Sequence, residues 1–195
     1  MDASLSRTAP VRRIRIVSCG PADDWLLECL TDNLPPELQC ETILEPLSLD
    51  PEPFLHPERG QYHSTHMLSA LPGTADGEIV VGVTPHDLYI PILTFVFGEA
   101  VMNGDRALVS YFRLRREVYG FPADREILLD RLVKEAVHEI GHVLGLVHCE
   151  DSSCVMARSH EVESIDVKNA TFCPLCVVEV ARGVGAEAQN FATKL

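Results

Sequence analysis

Nowhere does the chain approach the ~18 consecutive apolar residues that a membrane-crossing helix needs, so no membrane span is expected. The opening stretch, Met1 to Arg13, is polar and carries arginines, and it lacks the apolar segment and small-residue cleavage site of a secretion signal. Positive charge is scarce: 16 Lys and Arg stand against 29 Asp and Glu, a formal net charge of −13. Phosphate backbones are bound by basic surfaces, so nucleic acid is not an expected partner. Nothing points to the oxidising compartment in which disulfides persist. These absences fit a cytoplasmic protein, expected to be a monomer. Its 195 residues suffice for one domain with a sizeable core, but not for a catalytic domain joined to a large regulatory module.

What is present is concentrated between residues 138 and 176. His138-Glu139-Ile140-Gly141-His142 places two histidines four residues apart, on one face of a helix. His148 cannot join them if that helix continues. At ~1.5 Å rise per residue it would lie roughly 15 Å along the axis from His138, against a Zn–N bond of about 2.0–2.1 Å. The helix must therefore stop between His142 and His148, and Gly145 is placed to stop it by accepting the left-handed conformation at a helix end. Three histidines leave a fourth position on zinc open, the mark of a catalytic ion. Glu139 is rotated about 100° from His138, poorly placed as a ligand but able to reach a zinc-bound water. The expected reaction is hydrolysis of a peptide bond by that water, activated by Glu139, with the proton passed on to the leaving amine; the ligands themselves do not distinguish a peptide from an ester or another amide. A helix with surface histidines is the plain alternative, and the joint placing of Gly145 and His148 argues against it. Met156 fits a methionine turn beneath the three histidines, with an ordinary core methionine as its alternative.

A second donor set follows without a gap: Cys149, Cys154, Cys173 and Cys176. Four thiolates close a zinc shell, so this site is expected to hold structure and do no hydrolysis. A redox Cys-x-x-Cys would need no further cysteines nearby, and disulfides would need an oxidising compartment. Cys19, Cys29 and Cys40 fit no ligand spacing and are expected as buried thiols. Because neighbouring side chains diverge, the peptide unit between His148 and Cys149 is expected to join two metals, with the cysteine zinc fixing the backbone from which His148 reaches the other.

The run from His138 to His148 resembles the metzincin metalloproteases. Its extension by Cys149, Cys154, Met156, Cys173 and Cys176 resembles the archaemetzincin branch, and Val83 to Tyr89 with Phe95 to Gly98 is similar to that branch less specifically. The resemblance implies His138, His142 and His148 as ligands of a catalytic zinc, Glu139 as general base, Met156 as the turn methionine and the four cysteines as ligands of a structural zinc. Two zinc ions per chain and a peptide or protein substrate follow from it. Some metzincins carry a tyrosine two residues after the turn methionine; Arg158 stands there in this chain, so no tyrosine role transfers.

Patterning supplies the order of elements. Strands are expected over Arg13 to Ser18, Cys40 to Leu44 and Glu78 to Val83, the last apolar on both faces and so central. A helix is expected from Ala22 to about Asn33, a loop from Leu47 to Gly60, and a short helix from Tyr62 to Leu71 whose His63 and His66, with no carboxylate or cysteine partner nearby, are read in surface or capping roles against metal binding as the alternative. Thr94 to Val101 and Arg106 to Arg113 form a hairpin around Asn103-Gly104-Asp105, and one of its strands is the candidate edge for an extended peptide. A long helix capped by Asp124 ends at Gly145, with a buried stripe from Leu128 through Leu132, Ala136 and Ile140. Arg113, Arg115 and Arg116 are read as a solvated strand end or a charge-balanced face, with a substrate or anion contact as the alternative.

The expected fold is α+β and zincin-like: one catalytic domain over 1–195, with a mixed twisted sheet, an active-site helix and a small zinc-stabilised C-terminal part. The upper part runs to about 145 and the lower from about 146. A catalytically weak or inactive peptide-binding module that keeps this architecture is the competing function. A zinc-ribbon nucleic-acid adaptor is disfavoured by the charge and leaves Glu139 unexplained.

Overall fold

The computed structural model describes residue 11 and residues 13–38 and 40–181. All of the polar opening except Val11 and Arg13 lies outside the described residues. The elements in chain order are β1 (Arg13–Cys19), α1 (Asp24–Asn33), β2 (Glu41–Leu49), β3 (Leu55–His56), β4 (Gln61–His63), α2 (Ser64–Ser69), β5 (Glu78–Thr84), β6 (Leu88–Tyr89), β7 (Gly98–Ala100), β8 (Arg106–Ser110), α3 (Arg125–Val143), α4 (Val162–Asp166) and α5 (Pro174–Ala181). Among the described residues no helix is long and apolar enough to cross a membrane.

The main sheet has the order β2-β1-β5-β8-β7. Four strands are parallel, and β7 turns back antiparallel on β8 to form one edge. Alternation along the strands separates two apolar clusters. Ile14 and Ile16 of β1, Ile79, Val81 and Val83 of β5, and Ala107 and Val109 of β8 face α1 and α3. Val17, Val80 and Leu108 face Met67 and Leu68 of α2 instead. The central place of β5 explains why both its faces are apolar.

Asp124 caps α3, its carboxylate accepting from the N–H groups of Glu126 and Ile127 at 3.1 Å each. The helix is buried far beyond one stripe. From Arg131 to Gly141 every residue is buried, because α3 has the sheet and α1 on one side and the segment after it on the other. Val155, Met156, Val162, Ile165 and Phe172 of that segment share the same apolar cluster as the sheet.

Several local expectations are corrected. β2 runs on to Leu49, and residues 47–60 hold its end, a short 3-10 turn and β3 instead of loop alone. As an edge strand β2 tolerates Pro46 inside an irregularity, where Leu44 to Ser48 lies opposite only Ile16 to Ser18. The helix expected from Tyr62 begins only at Ser64, since β4 pairs with β6, and the hairpin strands are shorter than their patterning. His63 does cap α2, at a long 3.5 Å to the His66 N–H, and His66 is exposed.

The arginine cluster is the charge-balanced face of the two expected forms, and not a solvated strand end. Arg113 grips Asp87 through two 2.7 Å bonds and lies 4.1 Å from the Phe95 ring. Arg115 covers Phe112, and Arg116 reaches Asp124. Of the three unassigned cysteines only Cys19 is fully buried; Cys29 and Cys40 are half-buried, and Cys40 packs on the fringe of the core.

Candidate metal centres

Two groups of donor atoms come together, each with its atoms within 4.8 Å of one another: His138, His142 and His148, and Cys149, Cys154, Cys173 and Cys176.

The histidine group is built by the end of α3. His138 and His142 face the same way one turn apart, with their Nε2 atoms 3.1 Å from each other. Each uses its other ring nitrogen on a backbone carbonyl: His138 Nδ1 on Val155 and His142 Nδ1 on Leu146, both at 2.8 Å. A carbonyl only accepts, so Nδ1 carries the proton in both rings and the Nε2 lone pairs are left for an ion. The helix then stops as the glycine implies. Gly145 has φ 95°, its N–H donates to His142 O at 3.0 Å, and Leu146 N–H donates to Gly141 O at 2.9 Å. These two bonds are the Schellman ending, and they return the chain so that the His148 ring lies 5.3 Å and 4.9 Å from those of His138 and His142. His148 is exposed on the open side, with Arg158 Nε 3.2 Å from its Nδ1. An ion on His148 needs either the Nδ1 lone pair or a proton at Nδ1, so the Arg158 contact must give way to it.

Burial makes these imidazoles fit for a cation. It is the largest cause that pushes His138 down to about 3 from an ordinary 6.5, and it pushes His142 down as well; His148 is exposed as a residue, but the side of its ring turned to the other two is desolvated, and this with the neighbouring His142 and Arg158 brings it to about 4. All three are therefore neutral near pH 7. The Glu139 carboxyl is held well above the usual carboxylate range by burial first, then by Glu135 and Glu99.

The floor and roof of the group are also defined. A Cβ at Gly141 would collide with Met156 Sδ, so fully buried Met156 lies directly under the helix between the two histidines. A Cβ at Gly98 would stand 2.7 Å from Glu139 Oε1, so the carboxylate abuts the backbone of β7. Patterning missed Gly98 because close approach of two backbone segments leaves no periodic signal, and a glycine within a strand is its only trace. The carbonyls of Val155 and Leu146 were equally invisible, since any residue type supplies one.

The cysteine group follows from the chain's return. Cys149 N–H donates to Met156 O at 2.9 Å, which brings Cys154 back beside Cys149, and Cys173 and Cys176 bracket the start of α5. The Sγ atoms of Cys149 and Cys173, and of Cys154 and Cys176, are each 3.8 Å apart. That is far beyond an S–S bond of about 2.05 Å. It equals the edge of a tetrahedron with bonds of about 2.3 Å, the Zn–S length, so the four thiols fit zinc.

A helix that stops in a left-handed glycine and sends its third histidine back to the first two, under a sheet with one antiparallel edge, is the architecture of a metzincin-type zinc peptidase. Relatives agree with that class. The pattern of peptidase family M54 matches residues 57–182. The chain is 41% identical to the archaemetzincin of Methanocaldococcus jannaschii over 175 residues, 89% of this chain and 96% of that one. The crystal structure of the archaemetzincin of Archaeoglobus fulgidus superimposes with a TM-score of 0.76 at 39% identity, covering 86% of this chain and 99% of that one. A zinc-dependent peptidase from Methanocorpusculum labreanum gives a TM-score of 0.78 at 31% identity, covering 86% and 99%. The chain belongs to peptidase family M54, the archaemetzincins. It is a zinc metallopeptidase, and its substrates are peptides or proteins.

Proposed function

We propose that this peptidase works at a zinc held by His138, His142 and His148 with Glu139 as general base, and that a second, structural zinc is held by Cys149, Cys154, Cys173 and Cys176, two ions per chain. What carries the reading is the position of Glu139: its carboxylate sits on the helix of the histidine pair and against Gly98 of the edge strand. Among the described residues β7 pairs with β8 alone in the ladder, so its other side can take an extended peptide. When bound, the ion lowers the pKa of water and polarises the substrate carbonyl.

Glu139 takes the proton from the attacking water and gives it to the nitrogen of the leaving amine. Its enclosure keeps bulk water from competing for that proton; burial alone favours the protonated carboxyl, and the charge of a bound ion would oppose this and favour the carboxylate that meets the water. Gly145 supports the site by turning the chain, and Met156 by supporting the helix from below. Residues up to about 145 form the upper wall of the cleft in this reading, and those from about 146 the lower. We read the protein as a cytoplasmic monomer.

The test is a mixed peptide library incubated with zinc-loaded wild type and zinc-loaded Glu139→Gln, read by mass spectrometry. Wild type is expected to cleave and the variant to lose ~10²–10⁴-fold in rate. Persistent cleavage by the variant would contradict the mechanism, and binding without cleavage by wild type would favour a peptide-binding module.

A further inference from the structure

Lys168 belongs to neither donor set, yet its side chain is only 1% exposed. An enclosed ammonium needs a partner, because taking it out of water is costly. Its counter-charge is Glu135, 4% exposed, with Oε1 3.5 Å from Lys168 Nζ. That distance is long for a charge-assisted hydrogen bond, normally about 2.7–2.9 Å, and Glu135 Oε1 makes no well-aligned hydrogen bond. The ammonium is drawn aside to the carbonyl oxygen of Val155, 3.3 Å away.

That carbonyl is the acceptor that orients His138, at 2.8 Å from its Nδ1. One oxygen is thus held from one side by the lysine and used from the other by the imidazole. Val155 itself lies between Cys154 of the thiol cluster and Met156 beneath Gly141. Glu135 stands one turn before Glu139 on α3, and the lysine opposes the burial that raises both carboxyls. The segment that delivers Lys168 is clamped to the same helix. Arg131 makes two 2.7 Å bonds to Asp166, and Lys134 Nζ reaches the Asp166 carbonyl at 3.5 Å.

We infer that Lys168, seated by Glu135, is a positioning residue for hydrolysis: it fixes the Val155 carbonyl, through it the His138 ring, and so the zinc held opposite Glu139. The inference rests on the proposed roles of His138 and Glu139. The rival is a buried pair that only holds the fold together. The two separate because replacing a buried ion pair by apolar groups of similar volume commonly leaves stability intact.

The experiment compares wild type, Lys168→Met/Glu135→Leu, Lys168→Met and Lys168→Gln in thermal melting, chelator competition for zinc, and separate kcat and KM. The double variant is expected to melt close to wild type and keep its thiolate-bound zinc. Its histidine-bound zinc should be ~10–100-fold weaker, with kcat down by a similar factor and KM little changed. Lys168→Gln, whose amide can still donate to Val155, should recover part of both losses relative to Lys168→Met. Wild-type zinc affinity and kcat in the double variant would overturn the inference. So would equal zinc affinity in Lys168→Gln and Lys168→Met, whether or not the double variant folds. Failure of wild type itself to hold histidine-bound zinc, or of Glu139→Gln to slow peptide cleavage, would count against the underlying reading and not against Lys168.

Discussion

His138 and His142 each give one ring nitrogen to a backbone carbonyl and keep the other for the cluster, while His148 has no such anchor and is exposed. The consequence is a pH dependence with a definite sign. In the unfolded chain these rings take up protons near 6.5, whereas in the folded chain burial delays His138 to about 3, and desolvation of the clustered face of the His148 ring, with His142 and Arg158 beside it, delays His148 to about 4. Between those values the unfolded state binds more protons, so stability rises with pH there. The contribution is complete above about 6.5 and is lost as pH falls towards about 3. Metal-stripped protein is expected to show a falling urea midpoint from about pH 7.5 to about pH 5.5, with a shallower fall in His138→Leu. Equal slopes in the two would contradict the assignment. Zinc at the proposed histidine site would sharpen the effect, since protons would compete with it for the same lone pairs.

The decisive element is the end of α3. Its apolar residues called for a helix, Asp124 marked its start and Gly145 its end, and all three were legible because capping and left-handed turns each select few residue types. The need for His148 to come back was legible too, from rise per residue alone. Less was legible where structure depends on partners distant in sequence. The particular partner of Arg113 could not be read because nothing near it in sequence announces Asp87, and the all-round burial of α3 was hidden by its charged residues: Arg131 and Glu135 are paired by Asp166 and Lys168 of the later segment, and Lys134 by Asp130 one turn back on the same helix. Gly145→Ala is expected to cost about 1–2 kcal/mol through the left-handed backbone it forces on a residue with a Cβ. Because it also displaces His148, histidine-site zinc affinity should fall while thiolate-bound zinc is retained. Calorimetry with zinc titration checks both, and a stability loss with unchanged zinc binding would show that His148 finds its place without the turn.

At the scale of the molecule, the apolar cluster under the sheet runs without a break into the residues between the two donor sets: Val155, Met156 and Phe172 pack with Ile140 and Val143. The two centres are therefore tied twice, by the single peptide unit joining His148 to Cys149 and by a shared core. They should nevertheless remain chemically independent, since four soft thiolates that select zinc and close its shell on one side face three imidazoles with an open position on the other. Four thiolates hold zinc more tightly than three imidazoles, so the cysteine site is expected to stay loaded when the histidine site empties.

One measurement tests this arrangement most directly: zinc content per chain together with zinc-edge X-ray absorption, on wild type and His148→Ala. Two ions per chain with mixed sulfur and nitrogen or oxygen coordination are expected for wild type, and close to one ion in an all-sulfur shell for the variant. One ion in wild type, or a variant that loses sulfur-bound zinc and keeps the rest, would contradict two separate zinc centres divided between His148 and Cys149.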